Sequence, residues 1–425
     1  MKQIIAHLKH EVVEGILVSQ DEKHHVIKLA NGYNIGIANN KIERIEEKTI
    51  SIDEPTTKKH SQNHSLPKVL ILHTGGTIAS KVDYKTGAVI AKFDPTELVE
   101  MFPEMQELAH IESRLVSNMM SDDMRFAHYN ILAKDVAKEL ESKNYKGIII
   151  THGTDTMHYT SAALNFIFEN LPVPIVIVGS QRSSDRGSSD SAINLISAVS
   201  FIVNTTLAGV FICMHEDTSD NVCSIMSGLN VRKMHSSRRD AFKQINRRPI
   251  ARVNFFTKEI EYISEYSSST LNNKGNITLH PFNEDLKVGI VISHPNMYHE
   301  ELLAYKEFDG LVLEGTGLGH MPITEMDEYT KEHNKIRDVL TELCKKIPVV
   351  MSTQTIYGIV NMDVYSPGRE LQKLGVIGQE STLCPETTFI KLAWLLSQKL
   401  DPKTYFMQNL RGEFSNEDID KEADI

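Results

Sequence analysis

Cysteine is scarce: 4 occur in 425 residues, and Cys213, Cys223, Cys344 and Cys384 show no C-x-x-C spacing. That leaves no thiol redox motif and points to a reducing compartment, expected to be the cytoplasm. Long apolar runs are also missing, since the longest, such as Ile175 to Val178, fall far short of the roughly 20 residues of a membrane helix. No membrane association is expected. Met1-Lys2-Gln3-Ile4-Ile5 leads into charged residues, so no secretory leader is expected either. Among the 18 histidines there is no H-E-x-x-H and no closely spaced His/Cys set, so no metal is expected. G-x-x-x-x-G-K-[ST] is absent too, so any ATP-dependent activation would fall to another subunit. Positive charge is outweighed, for a net charge of -11, which excludes a surface that binds nucleic acid everywhere but not a local basic contact.

What is present is a chain with 41% hydrophobic residues, long enough for two or three domains with real cores. Short alternating segments, Val12 to Val18, His25 to Leu29 and Tyr33 to Ile37, surround Asn31-Gly32, a hairpin signal because a type I′ turn needs positive φ twice. Residues 1–48 are therefore expected to form a small β unit, too small to bury much core alone. The polar stretch 49–66 suits a linker. Beyond it, Lys68 to His73, Gly147 to Thr151, Pro174 to Gly179 and Ala208 to Met214 have the texture of buried strands. Pro95 to Met101 and Ala127 to Lys143 have that of helices. The alternation argues for a mainly parallel sheet covered by helices over 67–263. A second linker is expected over 264–286, then a smaller α/β domain over 287–400 with strands Lys287 to Ser293, Asp309 to Glu314 and Ile347 to Ser352 and the helix Glu386 to Gln398. An acidic tail, 401–425, ends the chain.

Two stretches carry the chemistry, Leu72-His73-Thr74-Gly75-Gly76-Thr77-Ile78-Ala79-Ser80 and Thr151-His152-Gly153-Thr154-Asp155-Thr156-Met157. Each follows a β-branched apolar run, so each places a threonine hydroxyl just past the carboxyl end of a buried strand. Open α/β sheets bind ligands there. A free threonine hydroxyl is a poor nucleophile and needs a base, a charge to tune it and donors for the oxyanion. Thr154 and Asp155 are adjacent, and the N–H groups of the helix expected over Tyr159 to Phe168 can receive developing negative charge. Gly75 and Gly76 let the backbone approach a substrate closely before Thr77.

These two stretches, and their separation, resemble the signatures of the L-asparaginase/glutaminase amidohydrolase family. The likeness extends over roughly 67–400, since Ser121-Asp122-Asp123-Met124 is similar to the family's substrate-binding segment and Val178-Gly179-Ser180-Gln181-Arg182-Ser183 to the strand and loop after the second signature. Val231-Arg232-Lys233-Met234-His235, Asn361-Met362-Asp363-Val364-Tyr365 with Gly368-Arg369, and the appended β unit resemble one branch in particular. That branch is the D subunit of archaeal-type glutamyl-tRNA(Gln) amidotransferases. The resemblance implies an asparaginase-like two-domain α/β fold behind a small β-barrel-like domain. It implies catalytic roles for Thr77, Thr154, Asp155 and Lys233, with Thr77 chosen as the attacking hydroxyl and the covalent threonine left open. Tyr84, Ser121, Asp122 and Asp155 would bind substrate: the tyrosine orients the nucleophile, Ser121 donates to the glutamine carboxylate and the two acids pair with its ammonium. Lys233 would relay protons, its pKa lowered by desolvation and raised by the neighbouring carboxylate.

The branch further implies glutamine as substrate, no cofactor in this chain, and ATP and Mg in a partner E subunit that also holds most of Glu-tRNA(Gln). A homodimer core of a heterotetramer is expected. Simple asparaginases carry an uncharged amide where Asp122 stands, which weighs against asparagine specificity. The alternatives are a free-standing cytoplasmic asparaginase or glutaminase, and a non-catalytic scaffold that binds an amino acid or the partner. Gly315-Thr316-Gly317-Leu318-Gly319-His320 falls short of a dinucleotide fingerprint because its third glycine is misplaced; the resemblance makes it a loop near the active site. The basic run Arg232, Lys233, Arg238, Arg239, Lys243, Arg247, Arg248 reads as a solvated helix face in which only Lys233 takes part in catalysis, with partner or tRNA phosphate contact as the functional alternative for the others.

Overall fold

The computed structural model describes residues 2–9, 11–29, 34–49, 63–79, 81–82, 89–90, 99, 101–184, 188–264 and 276–414. Tyr84, the Asn31-Gly32 turn, most of the helix expected over Pro95 to Met101, most of the first linker and residues 265–275 of the second lie outside the described residues. Strands Lys2–Leu8, Val12–Gln20, His24–Lys28, Asn34–Ala38 and Ile42–Thr49 form one antiparallel sheet. His24–Lys28 pairs with Asn34–Ala38 from Lys28↔Asn34 to His24↔Ala38, one residue out from the register a two-residue Asn31-Gly32 turn would set, which would oppose Lys28 to Ile35. Its core is small: Ile4, Ala6, Val13, Ile27 and Ile37.

An eight-stranded sheet carries the signatures. Its order runs Ile260–Tyr262, Ala251–Asn254, Val222–Ser227, Gly209–His215, Pro174–Val178, Gly147–Thr151, Lys68–Gly75, His110–Met119. The last five are parallel, and the first three pair antiparallel at one edge. Both faces are covered, and the alternation of side chains shows it. Leu70, Leu72, Ile148, Ile150, Ile175 and Ile177 face one buried cluster, while Val69, Ile71, Ile149, Val176 and Val178 face the other. A strand whose every residue is buried needs apolar side chains on both phases, which is why Gly147-Ile148-Ile149-Ile150-Thr151 lacks polar alternation. The helix Phe126–Ser142 buries Tyr129, Leu132, Ala133, Val136 and Ala137 at the three-and-four spacing expected of one packed face.

The smaller sheet, Val288–Ile292, Gly310–Gly315 and Val349–Thr353, is parallel throughout. Helix Glu332–Lys346 covers one face through Ile336, Leu340 and Leu343. On the other, helix Pro385–Ser397 contributes Ile390, Leu392, Ala393, Trp394 and Leu395 to the same cluster as Leu164 and Phe166 of helix Met157–Ile167. The two α/β units thus share a core. The basic run is not a helix face: Val231–Lys233 and Phe242–Gln244 pair as a short antiparallel ribbon. Its charges are paired although still partly exposed, with Arg238 on Asp240, Arg239 on Asp220 and Lys243 on the Glu216 carbonyl. Charge density suggested a helix there; cross-strand pairing of Val231 with Gln244 and Lys233 with Phe242 decided otherwise.

Candidate active site

From Lys68–Gly75 the chain crosses to the outer strand His110–Met119, then returns to Gly147–Thr151 on the other side of Lys68–Gly75 and moves on away from it to Pro174–Val178. The neighbours Lys68–Gly75 and Gly147–Thr151 therefore flank a topological switch point, and the crevice beyond their carboxyl ends is where such a sheet leaves room for a ligand. Both threonine loops begin there. A cavity of about 520 Å³, lined by Lys68, Tyr145, Lys146 and Thr205 among others, lies at the opposite, amino-terminal ends of these strands. It is separate from the signature loops.

The two loops touch through backbone. Gly76 has φ +82°, and any Cβ there would run into the backbone of Gly153. Only glycine permits both the left-handed conformation and that approach. Thr77, half-buried at the start of the turn Thr77–Ala79, is the next residue on one side, and buried Thr154 the next on the other. His73 and Thr151, paired in register below them, are joined by His73 Nδ1 and Thr151 Oγ1 at 2.9 Å. Thr74 adds a bond from its hydroxyl to the Thr151 carbonyl, 2.8 Å.

Lys233 comes in from the ribbon. Its Nζ donates to Thr154 Oγ1 at 2.8 Å and to Asp155 Oδ1 at 2.7 Å. The lysine side chain is 10% exposed and that of Asp155 61%, so a nearly buried ammonium is held between a hydroxyl and a carboxylate that opens to solvent. In its neutral form the same amine can take the threonine proton, and as the ammonium it can return it, with the carboxylate keeping it oriented. Helix Met157–Ile167 starts just beyond, with its amino-terminal N–H groups facing this end of the sheet.

Ser121 is buried and fixed from the helix start: Thr156 donates its hydroxyl to the Ser121 carbonyl at 2.6 Å, and the Thr156 N–H reaches Ser121 Oγ at 3.4 Å. Thr156 occupies the N-cap position but makes no side-chain cap, spending its hydroxyl on the neighbouring segment instead. Asp122 is exposed on the same turn and is not drawn into the contacts of Thr154, Asp155 and Lys233. The structure therefore brings together Thr154, Asp155 and Lys233, sets Ser121 against the start of their helix, places Thr77 on the abutting loop, and leaves Asp122 at the rim.

Three buried histidines surround the site without having been singled out in the sequence. Burial pushes His73 down to about 4 and His152 down to about 4. Burial, then the charges of Arg232 and Lys233, push His158 down to about 3. All three are neutral near pH 7. His152 must donate Nδ1–H to the Gly153 carbonyl, 2.7 Å, which leaves Nε2 to accept from Thr160 Oγ1, 2.8 Å. These rings pack and orient; the amine bonded to the Thr154 hydroxyl is that of Lys233. Their sequence signal was weak: His73 and His152 sit inside the two stretches and His158 directly after the second, with nothing in the pattern to mark them as buried.

Comparison with known proteins traces the same geography. Residues 68–267 match the family described as "Asparaginase, N-terminal", 287–405 "Glutaminase/Asparaginase C-terminal domain", and 4–47 "GatD N-terminal domain". The chain is 42% identical over 418 residues to the D subunit of the glutamyl-tRNA(Gln) amidotransferase of Methanococcus maripaludis strain C7, covering 96% of each. It is 42% identical over 398 residues to the protein of the same name from Pyrococcus furiosus, covering 92% of this chain and 87% of the other. Among solved structures it is similar to the thermostable L-asparaginase from Thermococcus kodakarensis, with TM-score 0.71 and 30% identity over 82% of this chain and all of that one. L-asparaginase I from Vibrio cholerae is also similar, at TM-score 0.69 and 28% identity, covering 82% and 99%.

Proposed function

Because this chain belongs to the family of glutamyl-tRNA(Gln) amidotransferase D subunits, we propose that it hydrolyses glutamine and passes the ammonia to an ATP-using E subunit, which amidates Glu-tRNA(Gln). The observation that carries the reading is the Lys233 ammonium bridging Thr154 Oγ1 and Asp155 Oδ1 beside the Gly76–Gly153 contact. Thr77 Oγ1 attacks the side-chain carboxamide carbon and gives up its proton through Thr154 to Lys233 in its neutral amine form, which becomes the ammonium. The carbon–nitrogen bond then breaks, the proton returns to the departing nitrogen, and ammonia leaves an acyl-threonine. Water, deprotonated by the same relay, attacks the ester carbon; glutamate leaves and the hydroxyl of Thr77 is restored.

Ser121 meets the glutamine carboxylate, and Asp155, with Asp122 at the rim and Tyr84, completes substrate recognition. No cofactor is assigned to this chain; ATP and Mg belong to the E subunit, which also holds most of the tRNA. A homodimer of this chain forms the core of the heterotetramer, in the cytoplasm. The test is turnover by the purified chain with and without a copurifying ATP-binding subunit and Glu-tRNA. Glutamine hydrolysis that rises with both is expected; substantial asparagine turnover by the chain alone would replace the reading with a free-standing asparaginase.

A further inference from the structure

The segment that carries Lys233 is held by the smaller α/β unit. Asn230 N–H donates to Thr387 Oγ1 at 2.9 Å, Cys384 N–H to Asn230 Oδ1 at 3.2 Å, and Asn230 Nδ2 to the Glu413 carbonyl at 2.8 Å. Asn230 itself has φ +53°, a strained conformation that these bonds over-determine. Successive strand residues face opposite ways, so Arg232 turns towards helix Pro385–Ser397 while Lys233 turns towards the threonine loops. Glu386, on the first turn of that helix and 6% exposed, has Oε1 3.4 Å from Arg232 Nη1 and 3.7 Å from His158 Nε2. Among the described residues, Glu386 Oε2 and His158 Nδ1 have no hydrogen-bond partner. Arg232 and Glu386 are therefore held by charge at ion-pair distance, with neutral His158 packed beside them.

We propose that Glu386 is a positioning residue for glutamine hydrolysis: it anchors Arg232 and balances the charge behind Lys233, so that the smaller unit sets the geometry and proton affinity of the relay. The inference rests on the reading of Lys233 as part of the glutaminase machinery. Two cations, Arg232 and Lys233, face two anions, Asp155 and Glu386, with neutral His158 and Tyr159 between the elements. Glu314, on strand Gly310–Gly315, is pushed up from its ordinary value by burial and adds a further carboxyl to this side of the cluster.

Opposite charge changes must therefore move the pH profile oppositely. Glu386→Gln removes an anion, disfavours the protonated amine, and is expected to move the acid limb of kcat to lower pH by about half a unit to one unit. Arg232→Met should move it to higher pH by a similar amount. Glu386→Gln is expected to lower kcat several-fold with KM within twofold, and Glu386→Asp to recover part of it. The measurement is glutaminase kinetics from pH 5 to 9 on the full chain with its partner, alongside Lys233→Met and thermal unfolding. Unshifted limbs and an unchanged kcat in Glu386→Gln would overturn the proposal, as would parallel shifts in both variants or loss that tracks melting temperature alone. A wild-type chain without glutaminase activity would overturn the functional reading instead, so the two failures are distinguishable.

Discussion

Gly179 illustrates how single residues hold the threonine in place. It comes directly after strand Pro174–Val178, and a Cβ there would lie 2.7 Å from Thr154 Cγ2 and 3.2 Å from the His152 carbonyl. Gly179→Ala must push Thr154 away from Lys233 Nζ, and a displacement of a few tenths of an ångström at a proton-transfer contact is costly. The expected outcome is at least a tenfold fall in kcat with little loss of secondary structure, read by glutaminase kinetics and circular dichroism. Unaltered kinetics would mean that the Thr154–Lys233 bond is not part of the rate-determining geometry. The residues of the signatures were legible because two threonine-bearing loops follow two apolar runs and together resemble a family's paired signatures; Thr-Gly-Gly-Thr alone is a weak signal. Glu386 and His158 were not, since each is an ordinary polar residue on its own helix and only the packing of helix Met157–Ile167 against Pro385–Ser397 brings them to 3.7 Å.

Between elements, the buried histidines act as joints: His73 ties strand Lys68–Gly75 to Gly147–Thr151, His152 ties that strand end to helix Met157–Ile167, and His158 faces helix Pro385–Ser397. Each has a folded-state pKa below its unfolded value, so between about pH 4 and 6.5 the unfolded chain binds more protons and stability rises with pH. Stability should therefore fall as pH drops through that window, with a slope of about 1.4 kcal/mol per unit for each such histidine. Denaturant unfolding at pH 7.5 and pH 5 checks this, and His158→Gln should flatten the slope by about one histidine's share. An identical slope in the variant would show that His158 is protonated in the fold.

The elements themselves were unequally legible. Uniformly apolar strands such as Gly147–Thr151 and one-faced helices such as Phe126–Ser142 declare themselves by pattern. The antiparallel strands Ala251–Asn254 and Ile260–Tyr262 do not, being short and increasingly exposed towards the sheet edge, with Ile260–Tyr262 lacking a buried residue. The ribbon that delivers Lys233 is three residues long on each side, and its charges suggested a helix face.

At the scale of the whole chain, the larger unit supplies both threonine loops, the aspartate and the lysine, while the smaller unit clamps the lysine's segment. The groups proposed for glutamine hydrolysis thus all lie in this chain, and use of the released ammonia is proposed for the partner. The most direct test is amidation of Glu-tRNA(Gln) by the reconstituted complex carrying Thr77→Val or Lys233→Met, supplied in parallel with glutamine or with an ammonium salt. Glutamine-dependent amidation should fall by roughly 10² to 10⁴-fold while ammonium-dependent amidation stays at the wild-type rate. Equal loss with both nitrogen sources would contradict the account.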